Sequence, residues 1–155
     1  MAATPYIAVV GSGEADDQQA WLAEEVGAAL AEAGAVVVTG GLGGVMEAAC
    51  RGAKSRRGCT LGLLPGTDRA AANGWVDIAV TTGLGELRNG LVVRSADAVV
   101  AIGGGSGTLS EIAFALKTGT PVIGLGTWDI EGMVRATDPR DAVTRALRHS
   151  SSADS

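Results

Sequence analysis

Glycine in this chain stands at the ends of apolar runs. Of 24 glycines, one cluster, Gly11-Ser12-Gly13, closes Tyr6-Ile7-Ala8-Val9-Val10. A second, Gly40-Gly41-Leu42-Gly43-Gly44, follows Val36-Val37-Val38-Thr39, and a third, Gly103-Gly104-Gly105-Ser106-Gly107-Thr108, follows Ala98-Val99-Val100-Ala101-Ile102. Short, β-branched apolar runs read as strands buried on both faces. Glycine after such a strand allows a sharp turn and a close approach of backbone to a neighbour or a ligand. After each cluster the sequence returns to helix formers. Strand, glycine loop and helix in succession specify a parallel sheet, because parallel neighbours require a right-handed crossover. The expected fold is therefore α/β, a Rossmann-like single domain with a parallel sheet flanked by helices on both faces. Ligands of such sheets bind beyond the carboxyl ends of the strands, where all three glycine loops fall.

The remaining elements follow from spacing and punctuation. Trp21, Leu22, Val26, Ala29, Leu30 and Ala33 recur at helical spacing between 16 and 33, and Gly34 stops that helix. Strands are expected over 60–64, closed by Pro65-Gly66, and over 76–80, after the turn Asn73-Gly74 and an exposed loop. A helix over 87–95, a strand over 98–102, a helix over 108–117 and a last strand over 122–125 complete the alternation. Asp138-Pro139 carries the N-cap and N1-proline signature of a final helix ending near 147. The expected domain is 1–148, and the serine-rich end, 149–155, is expected to be disordered.

Composition removes several function classes. A formal net charge of -5 and 3% aromatic residues argue against a nucleic-acid surface, which needs a basic field and stacking platforms. Lys54, Arg56 and Arg57 form a short basic cluster that suits a solvated helix end. Two cysteines, Cys50 and Cys59, make no disulfide framework and no metal-ligating pair, and the single histidine, His149, allows neither a histidine metal site nor a Ser-His-Asp triad. No apolar run reaches the length of a membrane span, and no signal-like N-terminus is present, so a cytoplasmic location is expected.

The loop 103–108 carries the strongest chemical signal. Glycines let backbone N–H groups converge on a phosphate, and the helix that follows presents its free N–H groups and positive dipole end to the same anion. A turn made only for tight packing also uses glycine, but a second strand–glycine–helix loop at 40–44 points to a shared pocket. The ligand-binding set read here is Gly11, Ser12, Gly40, Gly41, Gly43, Gly44, Met46, Asn89, Gly104, Gly105, Ser106, Gly107 and Thr108. Neither the G-x-G-x-x-G dinucleotide fingerprint nor the G-K-[ST] of a Walker loop is present. Glu111 is placed in the first turn after the loop, where its carboxylate either complements the helix dipole or reaches the ligand. Arg88, beside apolar Leu91 and Val92, must snorkel or meet an anion, and Asn89 next to it is suited to a ligand edge. Arg94 and Asp97 are expected to pair locally.

Arg88-Asn89, Ser95-Ala96-Asp97-Ala98 and Gly103-Gly104-Gly105-Ser106-Gly107-Thr108-Leu109-Ser110-Glu111, preceded by Gly40-Gly41-Leu42-Gly43-Gly44-Val45-Met46 and Leu64-Pro65-Gly66, resemble the Lonely Guy superfamily. The resemblance spans roughly 5–127. It includes cytokinin-activating phosphoribohydrolases, in which a P-G-G-x-G-T-x-x-E motif binds a 5′-phosphate and supplies a glutamate. Carried over, the resemblance implies Gly104, Gly105, Gly107 and Thr108 at the phosphate, with Arg88 and Glu111 as catalytic residues releasing a base from a nucleoside 5′-monophosphate. Three positions depart: Gly103 replaces the motif's proline, Asn89 stands where those enzymes usually carry lysine, and Glu47 follows Met46 where they usually have glycine. These departures resemble a small-member subgroup that includes molybdenum-cofactor carriers, which hold a phosphorylated pterin and catalyse nothing. The lysine decarboxylase label used for some relatives does not suit this chain. Its two lysines, Lys54 and Lys117, lie on or after helices among solvated neighbours rather than in a Schiff-base pocket.

Two functions of different class are thus expected: a nucleotide phosphoribohydrolase first, and a non-catalytic molybdopterin carrier as its alternative, with a nucleotide-sensing module third. None requires a resident cofactor or a metal. The bound species would be a nucleoside monophosphate or molybdopterin, that is, a phosphorylated small molecule. The resemblance further implies a homodimer or higher homo-oligomer, for which the apolar helix around Leu91-Val92-Val93 is an expected contact, while charge, aromatic content and the lack of a long apolar run lead to the expectation of neither a nucleic-acid nor a membrane partner.

Overall fold

A computed structural model describes residues 3–152. Seven parallel strands form one sheet in the order β4-β3-β2-β1-β5-β6-β7. They are β1 (Tyr6–Gly11), β2 (Val36–Thr39), β3 (Cys59–Leu64), β4 (Ile78–Thr81), β5 (Ala98–Ile102), β6 (Val122–Leu125) and β7 (Val134–Arg135). The helices are α1 (Asp17–Glu32), α2 (Val45–Ser55), α3 (Arg88–Arg94), α4 (Ser106–Thr118) and α5 (Pro139–Ser152). The expected single-domain, Rossmann-like α/β fold is the one observed.

The alternation of side chains along each strand divides the core. Ile7, Val9, Val37, Val100, Ile102 and Ile123 pack with α1, α2 and α5 on one face. Ala8, Val10, Val38, Val99, Ala101 and Val122 pack with α3 and α4 on the other. Both faces of the central strands are buried, which is why β1 and β5 read as unbroken apolar runs. A capping box starts α1: Asp16 Oδ1 accepts from the Gln19 N–H at 2.7 Å, and Gln19 Oε1 accepts from the Asp16 N–H at 3.2 Å.

The chain builds outward from β1 to β4, then returns to the other side of β1 with β5. The order therefore reverses between β1 and β5, which opens a crevice at their carboxyl ends.

Several expectations shift. Strand β4 begins at Ile78 rather than at 76, because Val76 packs over Gly62 before pairing begins. The loop before it contains a short 3-10 turn, Arg69–Ala71. Strand β7 is additional to the expected set: two residues carry no periodicity, and they pair only because β6 offers a free edge. Helix α4 begins at Ser106, so Glu111 lies in its second turn instead of its first. The disordered tail expected from 149 is corrected as far as Ser152, since α5 continues past Leu147. Its serines bond back to the helix, with Ser150 Oγ and Ser151 Oγ each donating to the Leu147 carbonyl at 2.8 Å. The remainder of that tail, 153–155, lies outside the described residues.

The pairing expected between Arg94 and Asp97 does not form. Asp97 accepts from the Tyr6 N–H at 2.8 Å, and Arg94 lies over the Phe114 ring, 5.5 Å from its centroid. In the basic cluster, Lys54 pairs with Asp77 and Arg56 with Glu32, as suits a helix end.

Candidate functional site

A cavity of about 760 Å³ opens at the crevice between β1 and β5. Its floor is the end of β1 and the loop after it, from Val9 to Gly13; one wall is the start of α4, and the other combines Gly40, Leu42 and Met46 with the turn and helix carrying Glu86 to Asn89.

The α4 wall is an open helix end. Gly105 caps the helix without a side-chain bond, and the first amide to find a carbonyl is Leu109, which donates to Gly105 O at 3.0 Å. The N–H groups of Ser106, Gly107 and Thr108 find no acceptor among the described residues. Unsatisfied amides at the positive end of a helix suit an anion. Gly104, at φ +114°, shapes the approach: a Cβ there would lie 2.5 Å from Thr108, whose buried side chain packs beneath the loop. The Thr127 hydroxyl donates to Gly103 O and ties the loop to the chain after β6.

The two other glycine loops are joined. The Val45 N–H donates to Ser12 O at 3.0 Å. A Cβ on Gly44, at φ +63°, would sit 2.2 Å from that same oxygen. Thr39 Oγ1 accepts from the Gly41 N–H at 3.0 Å, and Asn73 Nδ2 donates to Leu42 O at 2.9 Å, so the turn before β4 braces the second loop.

Eleven of the expected residues therefore line one cavity: Gly11, Ser12, Gly40, Met46, Arg88, Asn89, Gly105, Ser106, Gly107, Thr108 and Glu111. Gly41, Gly43, Gly44 and Gly104 do not line it; the bonds and close approaches at Gly41, Gly44 and Gly104 give these three positions a shaping part instead. Missed by sequence reasoning were Gly13, Leu42, Pro65, Glu86, Leu87 and Ser110 in the lining, and Asn73 behind it. The Asn73-Gly74 turn was a visible signal, but its spatial neighbour was not.

Arg88 is held firmly. Its Nε donates to Leu63 O at 2.9 Å, its Nη2 to Gly40 O at 3.4 Å, and its Nη1 to the side-chain oxygen of Asn89. Burial lowers its pKa from the ordinary value, and the charges of Glu111 and Glu86 oppose that shift. Glu111 is 9% exposed and makes no hydrogen bond to the described residues. Burial pushes its carboxyl up to about 7, against the pull of the Arg88 charge. Glu111 stands beyond the first turn of α4, to which the effect of the helix dipole is confined.

Elsewhere the thiols are free: Cys50 is buried against Thr39, at 3.6 Å from its hydroxyl, and Cys59 is partly buried. Lys54 is engaged with Gly58 O and Asp77, which leaves it no Schiff-base role. No cluster of three or more metal-ligating side chains occurs among the described residues, and no helix there is long and apolar enough to cross a membrane.

The family model described as SLOG cluster4 matches residues 4–153. The chain belongs to the SLOG cluster4 family. An uncharacterised protein of Archaeoglobus fulgidus is 43% identical over 145 residues, covering 93% of this chain and 95% of its own. The structure of a molybdenum cofactor binding protein from the phototrophic bacterium Rippkaea orientalis superposes with a TM-score of 0.89 at 38% identity, covering 94% of this chain and 97% of its own. A Moco carrier protein from Chlamydomonas reinhardtii follows with a TM-score of 0.88 at 35% identity, covering 97% and 99%. The expected kinship with the small-member subgroup that includes cofactor carriers is thereby met.

Proposed function

We propose that this SLOG cluster4 protein is a non-catalytic carrier of a phosphorylated pterin, molybdopterin or its molybdenum form, which is cargo and not a resident cofactor. The observation that carries this reading is the open end of α4, facing a cavity large enough for such a molecule, in a chain similar over nearly its whole length to cofactor-binding proteins. Ser106, Gly107 and Thr108 would take the phosphate on their N–H groups. Gly11, Ser12, Gly40 and Met46 would bound the ring system, with Asn89 at its edge. When bound, the cargo supplies the redox chemistry of a later acceptor enzyme; this chain's residues hold it and exclude water.

The departures from the phosphoribohydrolase pattern favour carriage over cleavage. Asn89, in place of the lysine usual in those enzymes, brings no charge to the cavity, and its side-chain oxygen accepts from Arg88, whose other bonds to Leu63 O and Gly40 O fix the guanidinium in the wall. Native purification followed by molybdenum analysis and fluorescence of the oxidised pterin tests the reading. Bound molybdenum and pterin, or uptake of added cofactor, is expected. An empty protein that fails to take up added cofactor, or release of free base from a panel of nucleoside monophosphates, overturns it.

A homo-oligomer goes with this reading. Register places Ile78 beside Leu61 and Val80 beside Leu63, on the sheet face that carries α3 and α4. Ile78 and Val80 are exposed there, as are Leu84, Leu87 and Leu91. Val92 and Val93, expected in the contact, are wholly buried in the core, which leaves Leu91 alone of the three to meet a second copy. Sedimentation of the wild type against Leu87→Asp/Leu91→Asp checks this: an oligomer that the double change dissociates is expected, and a monomeric wild type rejects it.

A further inference from the structure

Glu111 is a buried residue whose carboxyl has no protein hydrogen bond, on the same helix and in the same cavity as three amides that also have none. Glu111 follows Gly107 by four residues on the same face of α4, and the space beside Gly107 is open. Glu111 and the residues that carry the open amides of α4 line the same cavity.

We propose that Glu111 is a proton-carrying hydrogen-bond donor to the ligand's anionic group, so that a dianion and one proton enter the site together. The proposal rests on the anion-binding role given above to the α4 end and adds the charge state that the site selects.

The charged side chains lining the cavity are Glu111, Arg88 from α3 and Glu86 from the turn before it. Arg88 gives three of its five N–H donors to Leu63 O, Gly40 O and Asn89, and its charge pulls against the rise that burial causes at Glu111. From β1 and its loop come Gly11, Ser12 and Gly13, and from the second loop Gly40, Leu42 and Met46, all uncharged. A dianion at Ser106 to Thr108 would meet an ionised Glu111 as like charge, which favours protonation. The neutral acid then offers an O–H donor to an acceptor-only anion, a short and strong bond. In the free protein the carboxyl already sits near half-protonation at neutral pH, so proton uptake is cheap there.

Sulfate is the suitable probe, because it mimics a phosphate monoester dianion without titrating itself near neutrality. Calorimetry in buffers of different ionisation enthalpy should show proton uptake on sulfate binding. Affinity should fall toward about tenfold per pH unit above about 7. Glu111→Gln keeps a donor and should bind sulfate with neither buffer nor pH dependence. A carbon-NMR titration of wild-type glutamate carboxyls, with and without sulfate, gives the same comparison without a variant; the Glu111 transition should move up. Binding without proton uptake, or uptake that persists in a folded Glu111→Gln, overturns the inference and leaves the anion site standing. No sulfate binding at all overturns both the inference and the α4 anion site, whereas carriage is decided separately by the molybdenum and pterin content of the native protein.

Discussion

Arg88 and Glu111 line the same cavity and sense each other's charge, yet they are satisfied in opposite ways. The guanidinium donates to Leu63 O, Gly40 O and Asn89, while the carboxylate has no hydrogen-bond partner among the described residues. The arginine is thus fixed into the wall, and the glutamate carboxyl faces the cavity with no protein partner.

Removing Arg88 should therefore harm the fold before it harms a ligand. Arg88→Ala strips donors from two backbone carbonyls and should lower stability by about 2 kcal/mol, read by urea denaturation. Arg88→Lys keeps the charge but not the planar fork and should recover only part of that loss. Loss of the positive charge should also move the Glu111 transition to still higher pH, visible in the same carboxyl titration.

Glu111 makes stability fall with pH in a defined window. Its folded value, about 7, lies above the ordinary 4.5, so the folded state binds more protons between them. Its contribution is fully present below about 4.5 and is lost as pH rises through about 7. Glu111→Gln should consequently stabilise the protein at pH 8 by about 2 kcal/mol relative to wild type, and much less at pH 5. Thermal melts at the two pH values check the difference; an equal effect at both contradicts it.

Gly44 should not tolerate a side chain. Its φ of +63° and the Ser12 oxygen, 2.2 Å from where a Cβ would stand, oppose alanine both conformationally and sterically. Gly44→Ala should cost about 2 kcal/mol or more and separate the first two glycine loops, weakening ligand uptake. Gly66→Ala, at a position where a Cβ meets nothing, is the control and should be nearly silent in the same melts.

The two thiols should differ in reactivity. Burial raises the Cys50 thiol above its ordinary value, outweighing the lowering effect of the Thr39 and Asn73 side chains. The thiolate is the nucleophile, so Cys50 should react with a thiol reagent at least about tenfold more slowly than Cys59 in the native protein. Equal rates, measured by labelling and mass spectrometry, would place Cys50 in an open site.

The sheet and its glycine loops were legible because the signal is local. A run such as Ala98-Val99-Val100-Ala101-Ile102 has too little polarity for a surface strand, and the glycines after it announce a turn. Helix starts were less exact: α4 opens at Ser106 because the turn after Gly105 already has helical backbone, although Gly107 weakens its propensity. Strand β7 left no trace, since its two residues are ordered by an edge and not by their own pattern.

Arg88 and Glu111 were readable as ionisable groups among apolar neighbours, but their states were not. Sequence spacing says nothing of which carbonyl a guanidinium will meet 25 or 48 residues away, as Arg88 meets Leu63 and Gly40. The bracing of the second loop by Asn73 is likewise a contact between segments 31 residues apart.

By itself, then, the sequence determined that strands would alternate with helices and that glycine loops would gather at one edge of a parallel sheet, because strand burial and turn geometry act over a few residues. Only the tertiary structure decided that the order reverses between β1 and β5, that Arg88 is pinned to Leu63 O and Gly40 O, and that Glu111 is buried in the cavity that the open amides of α4 also line. Those facts depend on which distant segments exclude water from one another, and burial of that kind sets both the charge of Glu111 and the anion the cavity can hold.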